Sequence, residues 1–120
     1  MTPPTFNLLV LYSRDPERLA AFYERLGLTF LRHRHGVGAE HHAAEMGGGF
    51  VFEIYPAKPD EAETRVRLGL RTASVDRAVA ELAAQGVIIV SKPRDSEWGR
   101  RAVVADPDGN RVELTEIEGG

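Results

Sequence analysis

Hydrophobic spacing along this 120-residue chain switches between strand-like and helix-like, and the switches come in the same order twice. Phe6 to Tyr12 (FNLLVLY) is a mostly apolar run and predicts a buried strand. Leu19, Phe22, Tyr23 and Leu26 then recur at helical spacing, which buries one face of a helix. Asp15 suits its N-cap, Pro16 its first position, and Gly27 a left-handed stop. A strand around Leu28 to Arg34 follows. His41 to Met46 and Phe50 to Tyr55 then form a hairpin around Gly47-Gly48-Gly49. The polar stretch from Pro56 to Thr64 carries two prolines and reads as a link.

The same order returns beyond the link. Val66 to Leu70 predicts a strand. Ser74 or Asp76 caps a helix whose buried face is Val75, Val79, Leu82 and Ala83, and Gly86 ends it. Val87 to Val90 is a further strand. Two more, around Arg101 to Ala105 and Arg111 to Thr115, flank the turn signal Asp106-Pro107-Asp108-Gly109-Asn110. Gly27 and Gly86 differ by 59 positions, Gly49 and Gly109 by 60. The pattern predicts an α+β fold of two βαβββ repeats, about 5–56 and 65–117. They form one domain spanning 1–120, a concave mixed sheet with the helices outside.

Each repeat places a glutamate in an otherwise apolar strand: Glu53 in FVFEIY and Glu113 in RVELT, 60 positions apart. A carboxylate facing a core costs several kcal/mol unless something pairs with it. The pair therefore predicts a cavity into which both acids point. Strand alternation adds its walls. Val10 and Tyr12 share a face with Leu8, and Val51 and Tyr55 with Glu53. Gly69 and Arg71 share one with Arg67, and Arg111 and Thr115 with Glu113. Phe50, Phe52, Ile54, Val112 and Leu114 turn to the helices as core.

Composition narrows the options. The chain has no cysteine, which excludes a disulfide framework, a thiol nucleophile and a thiolate metal site. It has no apolar run of about 18 residues and no signal-peptide pattern at Met1-Thr2-Pro3-Pro4, so the expectation is a cytoplasmic protein without membrane contact. A net charge of -3 argues against nucleic acid as a partner and is compatible with a small or cationic ligand. No GxSxG, phosphate-binding loop, CxxC or HExxH is present, and Gly47-Gly48-Gly49 has no helix after it.

Two stretches carry a family resemblance. SRDPERLAAFYERLGL, from Ser13 to Leu28, resembles a helix ending in FY…LGL, and DPDGNRVEL, from Asp106 to Leu114, resembles a DPDGN…E-L hairpin. Together they resemble the vicinal oxygen chelate superfamily, which includes glyoxalase I, extradiol dioxygenases, fosfomycin resistance enzymes and bleomycin-binding proteins. The resemblance covers essentially the whole chain and implies the glyoxalase/bleomycin resistance fold. Metal-using members take one ligand from the first and one from the last strand of each half. The last-strand positions match Glu53 and Glu113; the first-strand positions match Leu8 and Arg67. Leucine has no donor atom, and a protonated guanidinium has no lone pair to offer. The resemblance thus implies no cofactor, with Glu53 and Glu113 as metal ligands only if a divalent metal binds after all.

Arg67 facing inward would put its charge where the metal charge would be, in a Glu–Arg–Glu cluster. The alternative is a surface residue at a strand end. Trp98 is either a lid or stacking platform for a ligand, or a contact with a dimer partner. His33, His35, His41 and His42 read as polar residues of exposed strands rather than as ligands or a general base.

The leading functional reading, implied by the resemblance, is metal-independent binding of a small molecule such as a peptide or aromatic antibiotic. That would serve drug sequestration, self-resistance or natural-product handling in a homodimer, with or without exchanged modules. The ligand would meet Tyr12, Val51, Glu53, Tyr55, Arg67, Trp98, Arg111 and Glu113. The first rival is a divalent-metal lyase, isomerase or dioxygenase of the glyoxalase type. The second is a metal-free acid–base enzyme in which desolvation raises the pKa of Glu53 or Glu113.

Overall fold

Both helices start and stop where their caps dictate. In α1 (Pro16–Arg25) the Asp15 side chain accepts from the backbone N–H of Arg18 at 3.1 Å, and Pro16 occupies the first turn. In α2 (Val75–Ala84) the cap is Ser74, which accepts from the Arg77 N–H at 3.2 Å. At the other ends Gly27 and Gly86 take φ of 100° and 83°. Each makes a Schellman motif: Gly27 N–H donates to Glu24 and Leu28 N–H to Tyr23, while Gly86 N–H donates to Ala83 and Val87 N–H to Leu82. The cap uses Leu28 and Val87, so the strands expected to begin there begin later.

The computed structural model describes residues 2–33, 40–62 and 65–117, and the chain divides into two compact units, Met1–Thr64 and Arg65–Gly120. The first unit, with α1, contains β1 (Leu8–Ser13), β2 (Leu31–His33), β3 (His41–Glu45) and β4 (Val51–Pro56), in the order β1-β4-β3-β2. The second, with α2, contains β5 (Arg67–Thr72), β6 (Ile89–Ser96), β7 (Gly99–Ala105) and β8 (Arg111–Glu116), in the order β5-β8-β7-β6. Each sheet is mixed. β1 runs parallel to β4 with Leu8 opposite Val51, and β5 parallel to β8 with Arg67 opposite Arg111. The βαβββ repeat thus extends to residue register. Arg34 and His35 lie outside the described residues.

Each helix covers one face of its own sheet. Leu19, Phe22 and Tyr23 of α1 pack with Leu11, Ala44, Phe52 and Ile54, and the Tyr23 and Phe52 rings meet edge to face at 4.9 Å. Val75, Val79 and Leu82 of α2 share the second core with Ala102, Val104, Val112 and Leu114. Ala83, expected on that face, is exposed. Residues 75, 79 and 82 already span the buried stripe, and position 83 falls on its flank.

β6 runs well past the expected Val87 to Val90. It reaches Ser96 through Pro93, which an end strand tolerates because no outer neighbour needs its missing N–H. Register shifts occur between Ile89 and Ser91 and between Ser91 and Arg94, on the stretch leading into and containing that proline. The β7–β8 turn is a latch as well as a turn. Asp106 Oδ1 accepts from the N–H groups of Asp108 and Asn110, each at 2.9 Å. Asn110 Nδ2 donates to Asp106 Oδ2 at 2.8 Å, and Asn110 Oδ1 accepts from the Val66 N–H at 2.7 Å. A fully buried Asn110 therefore ties the turn to the start of β5.

Asn110→Ala removes both side-chain bonds and leaves the Val66 N–H unpaired. Urea unfolding should show a loss of about 2 kcal/mol. A loss below roughly 0.5 kcal/mol, the level of a neutral surface change, would show that the latch holds nothing.

Candidate functional site

The faces turned away from the helices carry the chemistry. In β1 and β4 burial alternates as period two requires: Leu11, Phe52 and Ile54 are buried, whereas Tyr12, Val51, Glu53 and Tyr55 lie on the other face, more open. The partner of Glu53 comes from β3. His41 Nε2 lies 3.0 Å from Glu53 Oε2, and the His41 side chain is only 3% exposed. His41 also stacks on Tyr55, with ring centroids 4.2 Å apart and planes at 7°. Tyr12 lies 5.9 Å from Tyr55, and His33 5.9 Å from His41, its cross-strand partner. Burial, then the charge of Glu53 and the neighbouring Tyr12, push the Tyr55 hydroxyl above its ordinary pKa.

The reading of the histidines as exposed strand residues is corrected at two positions: His41 and His42 are both buried. They point to opposite faces, as adjacent strand residues must. His42 turns to the helix side, near Phe30, with Nε2 at 3.5 Å from Glu17. His35 lies outside the described residues.

In the second unit Glu113 meets two arginines. Arg67 from β5 and Arg101 from β7 both donate through Nη2 to Glu113 Oε1. The Arg67 hydrogen bond is the main cause holding the Glu113 carboxyl below its usual pKa. Partial burial opposes it, and the charges of Arg101 and Arg67 reinforce it. The expectation of a desolvated Glu113 with a raised pKa is thereby corrected: this carboxylate is stabilised as the anion. Arg67 is an ion-pair partner, although its side chain is 59% exposed. Arg111 is exposed opposite Arg67 on β8.

His41 and Arg101 occupy matching positions 60 residues apart. Arg101 pairs with Thr115, two past Glu113, and the β3–β4 register puts His41 against Tyr55, two past Glu53. Each glutamate is thus held from the third strand of its own module. The 60-residue shift that aligned the glutamates carries both partners, and applying it to the third strands would have found them.

A pocket of about 860 Å³ opens on this face of the second unit, lined by Glu113, Arg101, Arg71, Thr115 and Trp98 among others. Trp98 sits in the turn between β6 and β7 and is 68% exposed. Among the described residues Arg71 makes no ion pair. The arrangement offers an indole face for stacking and a guanidinium for an acceptor.

A divalent metal does not fit the donors expected to hold it. Leu8 has none, and Arg67 is bound to the carboxylate that would be a ligand. Among the described residues no group of three or more His, Cys, Asp or Glu side chains is placed to hold a metal ion.

Glu113 makes acid stability a readout of this ion pair. Its folded pKa lies below the unfolded value, so its contribution is fully present above the unfolded value and is lost as pH falls through the folded one. Wild type should lose stability relative to Glu113→Gln below roughly pH 4.3 in chemical unfolding. Parallel pH profiles would contradict the pairing.

Comparison with known proteins places the chain. A protein of Mycolicibacterium smegmatis described only as uncharacterized is 34% identical over 110 residues, covering 92% of this chain and 91% of its own. Among solved structures, TnmS3, an antibiotic binding protein from Streptomyces sp. CB03234, matches with a TM-score of 0.77 and 29% identity over 98% of this chain and 99% of that one. A glyoxalase/bleomycin resistance protein from the same organism matches with a TM-score of 0.71 and 30% identity over 92% of this chain and 99% of that one. Residues 5–114 match the Glyoxalase/Bleomycin resistance protein/Dioxygenase superfamily, and the chain belongs to it.

Proposed function

We propose that this protein binds a small aromatic or peptidic molecule, in the manner of an antibiotic-sequestering protein, without a metal. The observation that carries the reading is the commitment of Glu113 to two guanidinium groups in the wall of the Trp98 pocket. A carboxylate so engaged is a poor metal ligand and a poor base, but a rigid polar wall for a bound molecule. The ligand meets Trp98 and Glu113, with Arg67 and Arg111 nearby on the same face of the second unit. In the first unit Tyr12, Val51, Glu53 and Tyr55 form the matching face and are the corresponding candidates there. The likeness to TnmS3, an antibiotic binding protein, supports this class of ligand.

In this proposal the two modules make a single domain, and the working form is a cytoplasmic homodimer. Leu8 and Tyr12 on β1, an end strand of its sheet, are 50% and 40% exposed, and a partner chain would cover them. No helix among the described residues is long and apolar enough to cross a membrane.

A second reading rests on the His41–Glu53 pair. A buried imidazole 3.0 Å from a carboxylate and stacked on a tyrosine has the geometry of an acid–base pair, so Glu53 is the residue to test for acid–base catalysis.

Calorimetric titration of metal-free protein with a panel of planar aromatic and peptide antibiotics separates these readings. The proposal expects stoichiometric binding without turnover, weakened about tenfold by Trp98→Ala, or about 1.4 kcal/mol. Conversion of a bound compound, abolished by Glu53→Gln, would replace sequestration with catalysis. Binding that needs added metal would overturn the metal-independent reading.

A further inference from the structure

The Trp98 pocket has a wall at the tip of a two-stranded arm, and an exposed indole there would sweep a wide arc unless the arm were held. Two sets of contacts hold it. Within the tip, Ser96 Oγ donates to the Gly99 carbonyl at 2.6 Å and accepts from the Trp98 N–H at 3.2 Å. Gly99 closes the turn at φ 101°, a conformation other residues rarely adopt.

The second set lies just beyond the tip. Arg100 follows Gly99 on β7 and is the cross-strand partner of Asp95 on β6. Its guanidinium reaches Asp76 in the first turn of α2 with two bonds, Nε to Oδ2 at 3.2 Å and Nη2 to Oδ1 at 2.9 Å. Nη1 donates to Asp95 Oδ1 at 3.2 Å. One planar group therefore ties both strands of the arm to the helix, in a geometry that fixes direction as well as distance. The pairing also holds the Asp76 carboxyl below its ordinary pKa, through the Arg100 hydrogen bond first, with burial opposing. Arg100 is not part of the pocket lining, whereas its neighbour Arg101 is.

We propose that Arg100, through Asp76 and Asp95, is a positioning residue that sets the orientation of Trp98 as a wall of the binding pocket. The relevance to a ligand rests on the proposed binding function; the positioning itself does not. Because both carboxylates, Asp76 and Asp95, are exposed, the ion pairs add little to global stability. Their effect is directional, on the arm.

Trp98 is the sole tryptophan, so its fluorescence reports the tip directly in ligand-free protein. Time-resolved anisotropy and acrylamide quenching are measured for wild type, Arg100→Ala, Asp76→Asn and the double variant. Arg77→Ala, elsewhere on α2, serves as control. Arg100→Ala should add a fast local rotation of the indole and raise the quenching constant roughly twofold, with Tm and circular dichroism near wild type. Asp76→Asn keeps the side-chain shape and should move both readouts the same way. The double variant should add little to either single change. Wild-type anisotropy and quenching in Arg100→Ala and Asp76→Asn, or fully additive effects in the double variant, would overturn the proposal. A freed Trp98 with unchanged antibiotic affinity would leave the positioning intact and count instead against the pocket as the ligand site.

Discussion

A carboxylate on the face of a sheet must be compensated, and the third strand of each module does this. Glu53 is held by His41 and Glu113 by Arg101 from corresponding positions, with Arg67 adding a second cation to Glu113 alone. Each sheet's register brings the partner diagonally across two strands. The two modules share this arrangement but not its chemistry. An imidazole has a ring nitrogen that can accept a hydrogen bond as well as one that can donate, whereas a guanidinium only donates. The first module thus pairs its glutamate with a side chain of both kinds, and the second with a fixed ionic wall. That difference explains why binding is the better reading around Trp98, and why proton transfer is worth testing only at Glu53.

Much of the fold was legible in the residues because its signals are local. Asp15, Pro16 and Gly27 punctuate α1 by well-understood backbone preferences, and Gly86 repeats the stop in α2. The 60-residue shift then relates the modules without any three-dimensional information. Boundaries moved where a nonlocal contact intervened. β6 extends through Pro93 because it lies at the end of its sheet, a fact about strand order that spacing along the chain does not carry.

The site was half legible for the same reason. Alternation assigns Glu53 and Glu113 to the face away from the helices, but it does not say which neighbour reaches them. His41 lies in a stretch of polar character, yet pairing with Glu53 and stacking on Tyr55 bury it. Arg67 was identified as an ion-pair candidate, while Arg101, the more buried partner at 16% side-chain exposure, passed as an ordinary strand residue. Polar composition thus misled where pairing geometry, rather than solvent, decides burial. The Trp98 arm shows the converse: an apolar residue is exposed in a turn where Ser96 bonds the Trp98 N–H and Arg100 pairs with Asp76.

Metal affinity tests most directly whether built-in cations stand in for a metal. Purified protein is subjected to elemental analysis and then titrated calorimetrically with zinc, nickel, manganese and ferrous ions, with Arg67→His in parallel. The account predicts no tight stoichiometric binding by wild type and a clear gain in affinity when Arg67 is replaced by a residue with a lone pair to donate. Tight stoichiometric binding by wild type would contradict it and would mean that Glu53 or Glu113 is a metal ligand after all.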